Sequence, residues 1–141
     1  MTVTQSAILP DHVLGAVLVL AEKEHAKNNP CHTRLAFRSH DFQLQEIFNE
    51  LRQTQLYPIL DAFVFSDCGP EPYSPALNES VSRLQLSGLI GRENPDYEVV
   101  FVRPAADRFF TEVLKRNLSE PEMGQLSEVA SKFLERVVVT V

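Results

Sequence analysis

CGPEPYSPALNESVSRLQLSGLI, residues Cys68 to Ile90, sets three prolines and a serine in front of one amphipathic segment. Ser74 carries a side-chain oxygen that can accept from the free amides of a new helix, and Pro75 occupies the first helical position, where a missing N–H costs nothing. Leu77, Val81 and Leu84 then recur at helical spacing, and Gly88 stands where a left-handed residue closes a helix. Pro70 and Pro72 hold the approach extended, because proline restricts both itself and the residue before it. The stretch therefore predicts a capped helix over 75–87 whose direction is set by the prolines ahead of it.

Downstream of Gly88, "LIGR" and "YEVVFVRP" are two apolar runs around a turn signal made of Asn94, Pro95 and Asp96, which predicts a β-hairpin. Pro104 ends it. "AADRFFTEVLKRN" resumes a helical period through Phe109, Phe110, Val113 and Leu114. The last helix begins at "SEPE", with Ser119 as cap, Glu122 three residues on, and acidic residues at the positive helix end. Its apolar stripe is Met123, Leu126, Val129, Ala130, Phe133, Leu134 and Val137. The tail "VVVTV" is β-prone and too apolar to be left free.

Upstream, Pro10 to Lys27 reads as a helix with Val13, Leu14, Val17, Leu18, Leu20 and Ala21 spread widely around its axis, the pattern of a mostly buried helix. It breaks at "KNNPCH". The segment from Asn28 to His40 is polar, and between Glu24 and Asp41 it carries Lys27, Arg34 and Arg38 without an acid, so it reads as a solvated loop or a short basic patch. Asp41 to Gln53 predicts a second helix, with Leu44, Ile47, Phe48 and Leu51 inward and Gln43, Gln45, Glu46, Asn49 and Glu50 outward. Pro58 to Asp61 reads as helix and the following chain as extended, with Ala62 to Phe65 apolar enough for a short buried strand.

At 141 residues with 44% hydrophobic and 23% charged residues, the chain fits one globular domain spanning 1–141, its core at about 10–116 and its C-terminal helix at about 120–137. The first residues have no basic start, and the apolar run "HVLGAVLVLA" is shorter than a spanning helix needs, so a cytoplasmic protein without a membrane partner is expected. Cys31 and Cys68 are then expected to be reduced thiols. The net charge of −6 is opposite to the basic footprint of many nucleic-acid binders.

Helix, helix, extended link, capped helix, two-stranded hairpin and helix is the order of a winged helix, a helix-turn-helix variant with a β wing. The expected fold class is α+β, mainly helical, a winged helix with an additional C-terminal helix. Over roughly residues 60–136 the chain resembles the phage-associated, antitoxin-type winged-helix proteins of the SocA-like or Panacea group. The resemblance rests on Gly69, Pro70, Tyr73, Ser74, Leu77, Leu84, Gly88, Leu89 and Ile90. It implies regulation or complex formation rather than catalysis.

In such a fold the helix over 75–87 would present Asn78, Glu79, Ser82, Arg83 and Gln85, and Arg, Asn and Gln side chains read purines through paired hydrogen bonds. The wing adds Arg92 and Arg103, and the next helix Arg108. The nucleic-acid candidates are accordingly Asn78, Ser82, Arg83, Gln85, Arg92 and Arg103. Against them stand Glu79 and the acidic balance, and a solvated mixed-charge face is the alternative reading. Tyr73, in its proline-rich turn, and Phe133 and Val137, on the long terminal stripe, are interface candidates, the last two for a homodimer.

Cys31, His32, His40 and Cys68 lack the paired spacing of a zinc site, and no phosphate loop, nucleophile elbow or paired metal-binding carboxylates occur. No enzyme, metal or cofactor is expected. Asp67-Cys68 would serve as a thiol nucleophile only with a base such as His32 within reach. The residues point first to a transcription-regulator-like or antitoxin-like protein that binds DNA through helix 75–87 and the wing. The alternative is a protein-binding adaptor of the same fold.

Overall fold

Apolar residues on nearly every side of the first helix place it at the centre of the molecule. The computed structural model describes residues 9–28, 35–38, 43–66, 73–93, 99–102 and 104–137. Helix α1 (Pro10–Asn28) buries Val13, Leu14, Ala16, Val17, Leu18, Val19, Ala21 and His25, which surround its axis as expected for a helix with neighbours on several sides. Its main neighbours are α5 (Glu120–Arg136) and α3 (Pro75–Leu86). The whole is mainly helical with a small sheet, an α+β arrangement.

The sheet is antiparallel, with β1 (Ala36–Arg38), β2 (Ile90–Glu93) and β3 (Val99–Val102) in the order β1-β3-β2. Ile90 faces Val102 across the β2–β3 pair and Ala36 faces Phe101 across β1–β3, so the expected hairpin is present. Strand β1 corrects the reading of residues 28–40 as an irregular polar loop. Leu35, Ala36 and Phe37 are buried there, and the Leu35 amide donates to Glu22 Oε2 at 3.2 Å. Three residues are too few for a period-2 pattern to show in sequence.

Helix α2 (Gln43–Gln53) buries Leu44, Ile47, Phe48 and Leu51 as its spacing predicts. Gln45 and Asn49, expected outward, are buried too. Phe48 stands edge-on to Phe63 at 5.6 Å and to Phe133 of α5 at 6.2 Å, and Phe133 stands edge-on to Phe37 of β1 at 5.5 Å. Each such pair contributes about 0.5–1.5 kcal/mol beyond its burial, and together they tie β1, α2 and α5 to one centre.

A 3-10 turn at Pro58–Ala62 fills the position where a short helix was expected. The Ile59 amide donates to Gln125 Oε1 of α5 at 3.0 Å, and the Tyr57 hydroxyl donates to Glu128 Oε1 at 3.3 Å. The buried strand expected at Ala62 to Phe65 does not form. Phe63 is fully buried while its neighbour Val64 is 65% exposed, and the chain pairs only at Ser66, which exchanges two backbone hydrogen bonds with Tyr73.

Beyond the sheet, α4 (Pro104–Phe109) continues into a π turn at Phe110–Leu114 and a 3-10 turn at Lys115–Asn117. The regular helix expected here would have put Val113 on the apolar face. The wider π turn instead keeps Phe110 and Leu114 inward and leaves Val113 48% exposed. Helix α5 starts as predicted: Ser119 Oγ accepts from the Glu122 amide at 3.3 Å, and Glu122 Oε1 accepts from the Ser119 amide at 2.9 Å. Among the described residues no helix is long and apolar enough to cross a membrane.

Candidate functional site

Helix α3 is held at both ends. Ser74, in extended conformation, accepts from the Leu77 amide at 3.3 Å, and Pro75 follows it as the capping signal requires. The cap is itself gripped: the Ser74 amide donates to Gln45 Oε1 at 2.7 Å and Gln45 Nε2 donates back to the Ser74 carbonyl at 3.2 Å. The side-chain amide of Gln45 thus satisfies both backbone groups of a fully buried residue, as a paired strand would. At the far end Gly88 takes φ 78°, and the Leu89 amide donates to the Leu84 carbonyl at 2.9 Å.

Leu77, Ser80, Val81 and Leu84 face inward. Gly15 of α1 is the close approach: a Cβ there would lie 3.7 Å from Leu84 Cδ2. The same side of α3 carries a polar contact with the start of α1. Asp11 Oδ1 accepts from the Ser80 hydroxyl at 2.7 Å, and Asp11 Oδ2 accepts from Arg83 Nε at 2.8 Å. Arg83 Nη1 also lies 3.5 Å from Glu79 Oε1, one turn earlier. Burial pushes the Asp11 carboxyl up, but hydrogen bonds from Arg83 and Ser80 outweigh it and hold the group below its ordinary value. The Asp11 hydrogen bond in turn raises the Arg83 guanidinium.

The outward face of α3 therefore consists of Asn78, Glu79, Ser82, Arg83 and Leu86, with Gln85 half-buried. Leu86 is 88% exposed, the most open of the large apolar side chains among the described residues. Tyr73 is exposed just ahead of the cap. Asn78, Ser82, Arg83 and Gln85 share one helix, as expected, but Arg83 is occupied by two carboxylates. Arg92 sits in β2 opposite Val100; its side chain, like the whole of Arg103, is outside the described residues.

Phe133 and Val137 require a correction. Both are buried within this chain, Phe133 completely, so the apolar stripe of α5 is consumed by Phe37, Phe48 and α1 and these two residues present no surface to a second copy. Among other aromatic side chains, Phe63 and Phe110 lie in the core and Tyr73 lies outside it. Cys31, His32, His40, Asp67 and Cys68 lie outside the described residues. Among those described, no group of three His, Cys, Asp or Glu side chains is gathered to hold a metal.

Sequence reading missed Gln45 and Asp11, which act across long stretches of chain and leave no local signature. The Glu79–Arg83 spacing of four on one helix was the available hint that Arg83 had a partner. Comparison with protein-family models, curated proteins and solved structures gives no match to this chain.

Proposed function

We propose that the protein is a non-enzymatic, antitoxin-like regulatory protein of the winged-helix class that acts by docking a protein partner on α3. The class is supported by the element order: α1, a strand that joins the hairpin, α2, a capped α3, then β2 and β3. The link from α2 to α3 is longer than a simple helix-turn-helix turn and contains the 3-10 turn at Pro58–Ala62.

One observation carries the choice of partner. Arg83, the only cation on α3, is already neutralised by Asp11 and Glu79, while Leu86 and Tyr73 stand exposed at the two ends of the helix. A phosphate backbone is held by free cations, whereas a neutral face with apolar ends suits a protein surface. DNA binding is the second reading, favoured by Asn78 and Ser82, which stand open on a rigidly capped helix beside the hairpin.

Two measurements separate the readings. Labelled random duplex DNA titrated at low and moderate salt is expected to show no sequence-selective binding, and Arg83→Ala and Arg92→Ala are expected to change nothing. Salt-sensitive binding to one enriched sequence, weakened by those substitutions, would replace the protein reading with the DNA one. A photo-crosslinking side chain at Ser82 is expected to trap one protein in cells, with Leu86→Asp abolishing the product.

A further inference from the structure

Cations are distributed unevenly over this acidic chain. Lys23 pairs with Asp107 at 3.0 Å, Arg52 approaches Asp61 at 4.0 Å, Arg83 is held by Asp11 and Glu79, and Arg136 pairs with Glu50 at 3.2 Å. Lys27, Arg108, Lys115, Arg116 and Lys132 are exposed and have no ion pair among the described residues. Lys27 and Lys132 stand singly on α1 and α5, whereas Arg108, Lys115 and Arg116 share the stretch from α4 through the π turn to the 3-10 turn, which also exposes Val113. Glu112, also exposed, is the one carboxylate of that outer face; Asp107 is taken by Lys23.

The backbone explains how apolar and basic groups come to share this surface. Ala106, Phe110 and Leu114 are buried against α1, with Lys23 lying 6.0 Å over the Phe110 ring and the His12 ring tilted against Phe109 at 5.6 Å. The π turn spans Phe110 to Leu114, holds these two inward and leaves Val113 exposed. Single π turns recur at functional positions in helices. An unpaired cation on an acidic protein attracts a local negative charge despite the overall repulsion, because charges beyond about 8 Å are screened at physiological ionic strength.

We propose that the segment Arg108–Arg116 is a second docking surface, independent of α3, for a protein segment that combines acidic and apolar side chains. The three cations supply charge complementarity and Val113 an apolar contact that a phosphate backbone has no group to meet. The net charge of −6 further disfavours a long polyanion over a short acidic segment.

The test uses the full chain and three fluorescent probes: a 16-residue helical peptide of Glu and Leu, its Gln-for-Glu counterpart, and random duplex DNA. The Glu/Leu peptide is expected to bind most tightly. Lys115→Glu combined with Arg116→Glu should weaken it at least tenfold, Val113→Ser roughly threefold, and Arg83→Ala not at all, with circular dichroism showing each variant folded. Binding of the Glu/Leu peptide that is indifferent to the double charge reversal, or no binding, overturns the proposal. DNA bound more tightly than the peptide through Lys115 and Arg116 would make this a nucleic-acid surface and overturn it equally. Because α3 is read separately through Arg83 and Leu86, neither failure bears on the α3 reading.

Discussion

Helices α3 and α5 begin with the same device, a serine cap with proline in the first turn, yet the two starts are built differently. Ser119 completes its cap locally: Glu122 returns a carboxylate to the Ser119 amide, with Ser119 exposed and Glu122 half-buried. Ser74 is fully buried, and its amide, the counterpart of the one Glu122 satisfies at the other helix, is here satisfied by Gln45 from α2, which also donates to the Ser74 carbonyl. A local cap fixes where a helix starts. A cap gripped from another helix also fixes where that start sits in the molecule, and for α3 this sets the face offered to a partner.

The contrast predicts a graded series of stability losses. Gln45→Leu leaves the buried Ser74 amide unpaired, while the Ser74 carbonyl keeps the Asn78 amide as donor at 3.2 Å, and this costs about 2–3 kcal/mol on the scale of unsatisfied buried groups. Urea unfolding should show that loss, and amide exchange should accelerate at the start of α3 while α5 is unchanged. Ser74→Ala removes the cap but keeps the Gln45 grip, for about 1–2 kcal/mol. Ser119→Ala, at an exposed end, should cost about 0.5–1 kcal/mol, with exchange faster only in the first turn of α5. If Gln45→Leu proved no worse than Ser119→Ala, the two starts would be equivalent and the comparison would fail.

The smallest effect is expected at Asp11, which steadies the other side of α3. Its carboxyl is held below the ordinary value, so its contribution is complete above the unfolded aspartate pKa of about 4 and is lost as pH falls through the lowered folded value. Melting curves of wild type and Asp11→Asn should therefore differ at neutral pH and converge on the acid side. Asparagine keeps an acceptor for Ser80, so the difference isolates the charge presented to Arg83. Parallel curves down to pH 2 would show that Asp11 contributes packing rather than charge.

Features encoded within a few residues were legible in the sequence. The Ser74-Pro75 and Ser119-Glu122 starts, the hairpin around Asn94 to Asp96 and the apolar stripes of α1, α2 and α5 all follow from spacing, and all but the turn itself are seen in place. What escaped depends on partners far along the chain. Strand β1 exists because β3 is there to pair with it, Gln45 is buried because Ser74 needs it, and the Arg83 charge is paired because Asp11 lies across from it. The site suffered most from this, because a cation in a sequence looks the same whether free or paired. Lys115 and Arg116 passed unnoticed for the converse reason: a regular helical reading of their segment gave no sign of the π turn.

A π turn encloses one residue more than the α-helix around it, so Phe110–Leu114 marks a place where the length of this chain is negotiable. Deleting Thr111, which is exposed, would let the segment close into regular helical turns while the residues on either side keep roughly the same phase relative to one another. The buried anchors and the residues after the turn would keep their sectors, and only the exposed residues within the turn would be re-aimed. In terms of descent, a single codon can be gained or lost here with the helix on either side left in place, a tolerance that a regular turn does not have.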